Sequence, residues 1–137
     1  MSSEQSPRLI AIVDDDISVQ SALQDLIESE GLSTVCFGSA EEFLASGAQH
    51  MAGCLIADVR MPGMSGIELQ AKLKADRCRI PIIFITAHGE AKMRIQAMRD
   101  GAVEFLTKPF DNAVLFETVH AAVEDYAKTL GIWKSNK

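Results

Sequence analysis

Residues 9–16, LIAIVDDD, set five apolar residues directly against three acids. The apolar run is short, and it is too continuous for a strand with one wet face. It reads as a strand buried on both sides, the pattern of a parallel sheet. The acids then fall where that strand leaves the sheet. Four more short apolar runs come later in the chain: residues 32–37 (LSTVCF), 54–57 (CLIA), 80–85 (IPIIFI) and 103–106 (VEFL). Most are rich in β-branched residues, without strict alternation.

Amphipathic stretches separate the runs. Val19, Ala22, Leu23, Leu26 and Ile27 fall on one helical face, and Gly31 is expected at the helix C-cap. Ser39 and Glu42 have capping-box spacing for a short helix reaching Leu44. Leu69 and Leu73 mark a third helix, and residues 91–99 a fourth, closed by Gly101. Asp111 is expected to cap a fifth, whose apolar face is Leu115, Thr118, Val119, Ala122, Val123 and Tyr126. Strand–helix alternation repeated five times predicts an α/β fold around a parallel sheet. Right-handed crossovers place helices on both of its faces. No repeat, linker or low-complexity tract divides the 137 residues, so they read as one domain. The polar ends, residues 1–7 and 131–137, are expected to fray.

Composition removes several function classes. Thirteen Lys and Arg against nineteen Asp and Glu leave a net charge of −6. Duplex binding needs a basic patch, so no direct nucleic-acid contact is expected from this chain. No apolar run is long enough to span a bilayer, and MSSEQSPR lacks a signal-peptide core, so a cytoplasmic protein without membrane contact is expected. Cys36, Cys54 and Cys78 form no CxxC pair and lie in or near apolar stretches. Buried, reduced thiols are the expected state.

The chemistry lies at the points where the strands end. The first runs into Asp14, Asp15 and Asp16, the third into Asp58, the fourth into Thr86 and the fifth into Lys108. In a doubly wound sheet these strand ends share one edge, where ligands bind. If strands one and three are neighbours, Asp14, Asp15 and Asp58 converge. Converging carboxylates repel unless a cation compensates. Hard oxygen ligands with open positions suit Mg2+, which accepts phosphate oxygens as well. A carboxylate held beside Mg2+, a lysine and a hydroxyl is equipped to attack phosphorus and become an aspartyl phosphate.

The strings IVDDD, ADVRMPGMSGIEL, FITAHG and GAVEFLTKPF occur in that order. Together they resemble the four signature segments of bacterial response regulator receiver domains, over about residues 8–127. The wording is most similar to FixJ-type receivers, which usually precede a helix-turn-helix DNA-binding domain. The resemblance implies a flavodoxin-like receiver fold, with a five-stranded parallel sheet in the order 2-1-3-4-5 and five helices. It implies that Asp58 is the phosphoacceptor in two-component signalling. Asp15 would bind Mg2+ directly and Asp14 mostly through water, with Asp58 and the main-chain carbonyl of Arg60 as further ligands. Thr86 would be the switch hydroxyl, Phe105 the switch aromatic and Lys108 the phosphate-binding cation, with Lys108–Pro109 cis. The domain would catalyse only its own phosphorylation and dephosphorylation and would not be an enzyme otherwise. Implied partners are a sensor histidine kinase, a second copy after phosphorylation, and a C-terminal DNA-binding output domain outside this chain. A stand-alone regulator or a phosphorelay intermediate is the alternative within the family.

Other readings of the same residues are weaker. Asp16 is expected only to cap the first helix. His88, two residues after Thr86, reads as a solvated loop histidine; the sharper reading has it and the Arg60 side chain tune access of hydrolytic water. His50 and His120 have no metal-like spacing, and Met93, Ala97 and Met98 read as packing. A haloacid-dehalogenase-type phosphohydrolase would need a second acid two residues after its nucleophile, where this chain has Arg60. A flavodoxin-type module would need a hydroxyl- and glycine-rich loop after the first strand, where this chain has three aspartates.

Overall fold

The computed structural model describes residues 6–87 and 90–131. Five strands, β1 (Ser6–Val13), β2 (Ser33–Phe37), β3 (Ala52–Ala57), β4 (Ile82–Thr86) and β5 (Glu104–Thr107), alternate with five α-helices. The helices are α1 (Ile17–Glu28), α2 (Ala40–Ser46), α3 (Gly66–Ala75), α4 (Ala91–Arg99) and α5 (Asn112–Leu130), and a 3-10 turn, Ala48–His50, comes after α2. All pairings are parallel, in the order β2-β1-β3-β4-β5. Chain order thus reverses between β1 and β3. β3 lies at the centre and all six of its residues are buried, which is why AGCLIA shows no polar alternation.

The sheet separates two apolar layers. On one side Phe43 of α2, Leu69 and Leu73 of α3 and Ala97 of α4 pack with Leu55, Phe84 and Phe105. On the other, Leu23 and Ile27 of α1 and Leu115, Val119 and Ala122 of α5 pack with Ile10, Ile12, Ile83 and Ile85. Successive strand residues therefore serve opposite layers. Burial of the α5 face is as the spacing predicts, apart from half-buried Thr118, whose hydroxyl donates to Val114 O at 2.7 Å.

Local differences from the sequence reading have local causes. α1 ends at Ser29, whose backbone N–H donates to Asp25 O and Ile27 O; Gly31 lies beyond the cap, in the turn to β2, with φ +81°. Ala22 of α1 is exposed, so the buried stripe there is narrower, centred on Leu23 and Ile27. Ser39 caps α2 by accepting from Glu42 N, but the Glu42 carboxylate turns back to Gly38 N at 3.1 Å, one residue early for a reciprocal box. The complete capping box belongs to α3, between Ser65 and Glu68. At the N-terminus the backbone of Ser6 and Pro7, expected to fray, is in β1, with Ser6 opposite Ala52; residues 1–5 lie outside the described residues. α5 runs to Leu130 and is capped by Gly131 at φ +75°. Residues 132–137, also expected to fray, lie outside the described residues.

Candidate functional site

The site is assembled from strand ends by backbone hydrogen bonds. Asp14 N donates to Phe37 O and Asp58 N to Val13 O, each at 3.1 Å, while Lys108 N donates to Thr86 O at 3.0 Å. Val13 lies opposite Ala57, and Thr86 opposite Thr107. Each polar residue therefore sits where its strand stops, on one edge of the sheet. The peptide bond Lys108–Pro109 is cis.

Carboxylate oxygens of Asp14, Asp15 and Asp58 lie within 4.8 Å of one another. Among the described residues this is the one cluster of three acidic, histidine or cysteine side chains close enough to share a metal ion. Asp14 is almost fully buried, Asp58 partly buried and Asp15 exposed. Asp14 is held twice: its Oδ1 accepts from Asp16 N at 2.9 Å, and its carbonyl accepts from Gln20 Nε2 at 2.7 Å. Burial pushes its carboxyl up to about 6, helped by repulsion from Asp58 and Asp15 and opposed by the Asp16 hydrogen bond and the Lys108 charge. Asp16 faces elsewhere. It is the N-cap of α1, accepting from Ser18 N at 2.9 Å and Ser18 Oγ at 2.7 Å, and these bonds hold its carboxyl below the usual range.

The raised carboxyl of Asp14 has a measurable consequence in metal-free protein. Between the ordinary carboxylate value and about 6, the folded chain holds a proton on Asp14 that the unfolded chain has lost. Stability in EDTA is therefore expected to fall as pH rises through this window, at up to about 1.4 kcal/mol per pH unit for one proton. Asp14→Asn should remove that slope and melt higher than wild type at neutral pH. Urea denaturation at a series of pH values checks this, and an unchanged slope in the variant would contradict the assignment to Asp14.

Thr86 is buried and Lys108 half-buried. Phe105 is buried two residues before Thr107, with its ring centroid 6.0 Å from that of Phe84. Arg60 N donates to Asp58 Oδ1 at 3.3 Å, but its guanidinium reaches across to Glu90 at 3.0 Å, the N-cap residue of α4. His88 lies outside the described residues. His50 and His120 belong to no metal-like cluster, and His120 sits 3.5 Å from Glu30. Cys54 is buried, and burial pushes its thiol up to about 12; Cys36 and Cys78, only half-buried, are also raised, by burial first. None is a nucleophile at neutral pH.

Sequence reasoning passed over several residues that shape the site. Gln20 braces the Asp14 carbonyl, and Arg94 of α4 donates to Phe105 O at 2.8 Å. Glu41 accepts from Met64 N at 2.9 Å and so pins the loop after Asp58 to α2. Gly66 is the tightest point: a Cβ there would lie 2.3 Å from the Asp58 carbonyl oxygen. Of these four, only Gly66 carried a signal in the sequence, as part of the string ADVRMPGMSGIEL.

Known proteins share this fold. The profile of the response regulator receiver domain matches residues 10–120. Nodulation protein W of Bradyrhizobium diazoefficiens is 47% identical over 116 residues, 85% of this chain and 51% of that protein. The transcriptional regulatory protein FixJ of Azorhizobium caulinodans is 40% identical over 114 residues, 83% of this chain and 54% of its own length. The chain thus spans about half the length of these curated relatives. Among solved structures, response regulator StyR superposes with a TM-score of 0.83 at 43% identity, covering 90% of this chain and 62% of that one. FixJ-N superposes with a TM-score of 0.77 at 37% identity, covering 90% and 96%. With the sheet order and the strand-end acids already in place, these matches lead to one conclusion: the chain belongs to the response regulator receiver domain family of two-component signalling.

Proposed function

We propose that this domain takes a phosphoryl group onto Asp58 and uses it to shift the face built from α4, β5 and α5. The observation that carries the reading is the convergence of the Asp14, Asp15 and Asp58 carboxylates within 4.8 Å on the edge that also bears Thr86 and Lys108. Three hard oxygen donors of like charge fit a small divalent cation, which would offset the repulsion of Asp14 by Asp58 and Asp15. Asp14, Asp15, Asp58 and the Arg60 carbonyl would hold Mg2+, which offsets charge on phosphoryl oxygens when bound.

The donor is the phosphohistidine of a sensor kinase. An Asp58 carboxylate oxygen attacks phosphorus, the phosphorus–nitrogen bond breaks, and the kinase histidine leaves with the electron pair. Lys108 supplies a cation for the transferred oxygens, and the Thr86 hydroxyl donates to one of them. The domain turns over only its own aspartyl phosphate. Its place is the cytoplasm, and its output is transcription through a DNA-binding domain outside this chain, in keeping with relatives that are transcriptional regulatory proteins.

Switching follows from packing. A phosphoryl group that engages Thr86 draws that side chain toward Asp58, and Phe105 repacks into the space released. Signalling requires better interaction with one of two packings, a coupling of about 1–3 kcal/mol. Ile95, Met98, Val103 and Val114 are large apolar side chains exposed on this face, suited to a phosphorylation-dependent dimer. Thr86→Ala should still be phosphorylated, since the nucleophile and metal ligands remain, but it should dimerise poorly. Sedimentation with beryllofluoride and Mg2+ is the check; full dimerisation of Thr86→Ala would remove Thr86 from the route.

A further inference from the structure

Helix α4 has little apolar hold on the fold. Of its nine residues only Ala97 is buried, against four of ten in α3. Polar ties to three different elements supplement that contact. Arg60, in the loop after β3, reaches Glu90 at 3.0 Å; Arg94 donates to Phe105 O of β5 at 2.8 Å; and Gln70 Nε2 of α3 donates to Ala97 O at 3.0 Å. The two arginines are exposed, but Gln70 is 3% exposed. Three polar side chains are buried among the described residues; Asp14 and Thr86 belong to the strand-end site, and Gln70 does not.

The Gln70 amide is only half satisfied. Its Oε1 is closed to water and has no hydrogen-bond partner, a condition shared among the described residues only by Gln49 Oε1. Turning the amide over would set this oxygen against the Ala97 carbonyl, so neither orientation serves both ends. Nor does Ala97 O depend on Gln70, because it already accepts from Ala102 N at 3.0 Å. A buried acceptor left unpaired weighs against the packing that buries it, and an apolar side chain of the same shape would be neutral or better. Gln70 therefore weakens the contact between α3 and α4 although it makes a hydrogen bond across it.

We propose that Gln70 is a positioning residue that keeps α4 poised, so that a state with α4 undocked from α3 is populated in the unphosphorylated chain. Undocking lets water reach Gln70 Oε1, and α4 forfeits little apolar burial in exchange. The docked and undocked packings then lie close in free energy, the condition for a population shift. α4 belongs to the face that phosphorylation is proposed to move, so the consequence for output rests on the function proposed above. The poise itself is a property of the resting chain and does not.

Hydrogen exchange in unphosphorylated chain with EDTA is the test. A nine-residue helix does not hold together alone in water, so undocking exposes the amides of Ile95, Gln96, Ala97 and Met98 to exchange. Gln70→Met keeps the unbranched shape without the amide, and Gln70→Leu offers a second apolar side chain if the first packs poorly. Exchange at those four amides should slow about tenfold in the better folded variant. A residue that merely ties the helices together gives the opposite sign, because its loss frees α4. Unchanged or faster exchange in both variants would overturn the proposal. In a second measurement, the variants should accept phosphoryl from a small acyl phosphate at the wild-type rate but need about tenfold more protein to dimerise with beryllofluoride and Mg2+. Slower exchange with an unchanged dimerisation midpoint defeats the link to output. Wild type that does not dimerise at all defeats the receiver mechanism and leaves the poised helix standing.

Discussion

Asp58→Asn is expected to take up no phosphoryl group from a small acyl phosphate in Mg2+, against near-complete labelling of the wild type. The substitution keeps size and hydrogen-bonding shape but removes the nucleophilic carboxylate, so the effect is loss and not a graded decline. Folding should survive, because the Asp58 N–H that pairs with Val13 O belongs to the backbone and relief of repulsion toward Asp14 and Asp15 favours the fold. EDTA should abolish wild-type labelling in the same assay. Intact-mass measurement with hydroxylamine sensitivity separates an acyl phosphate from a phosphoester. Undiminished, hydroxylamine-sensitive label in Asp58→Asn would move the acceptor to another acid.

Gly66→Ala should be the most disruptive single-methyl change in the described structure. A Cβ at Gly66 would stand 2.3 Å from Asp58 O, 3.0 Å from Val59 Cα and 3.0 Å from the Phe84 ring. Two of those neighbours are backbone and the third is a core ring buried beside Phe105, so none can yield cheaply. Gly66 N also donates to Val59 O at 2.8 Å, which ties the start of α3 to the strand end that carries Asp58. A loss of about 3 kcal/mol is expected, and phosphoryl uptake should slow because relief of the clash must displace Asp58. Urea denaturation measures the first effect and labelling rate the second. A variant with wild-type stability would mean that the β3–α3 connection has slack the structure does not show.

Strand positions were legible because parallel strands buried on both sides leave short unbroken apolar runs, and their ends locate Asp14, Asp58, Thr86 and Lys108 without further information. The convergence of those ends needs the order β2-β1-β3-β4-β5, which periodicity does not encode and which the family resemblance supplied. Contacts made by long side chains across the fold were not legible. Gln20 on Asp14 O, Glu41 on Met64 N and Arg94 on Phe105 O each join residues whose proximity exists only after the helices dock. Helix ends failed where two residues compete for one role: Gly31 looks like a cap, but Ser29 closes α1 first. Arg77, a non-glycine residue at φ +61°, left no trace in composition because its conformation comes from the turn that returns α3 to β4.

The sheet also sorts mutations by kind. Thr86 and Phe105 neighbour Phe84, whose ring packs with Leu69, Leu73 and Ala97, whereas Ile27, Leu115 and Val119 meet one another across the opposite surface. Rearrangement beside Phe105 therefore strains the α3–α4 layer directly and reaches α1 only through hydrogen-bonded strands. Drift in the contacts of α1 can raise or lower the melting point with little effect on what the phosphorylated face displays, whereas α5 belongs both to that layer and to the face. α1 is free to follow the temperature at which the protein works, and α4 and α5 answer to the partner it must recognise.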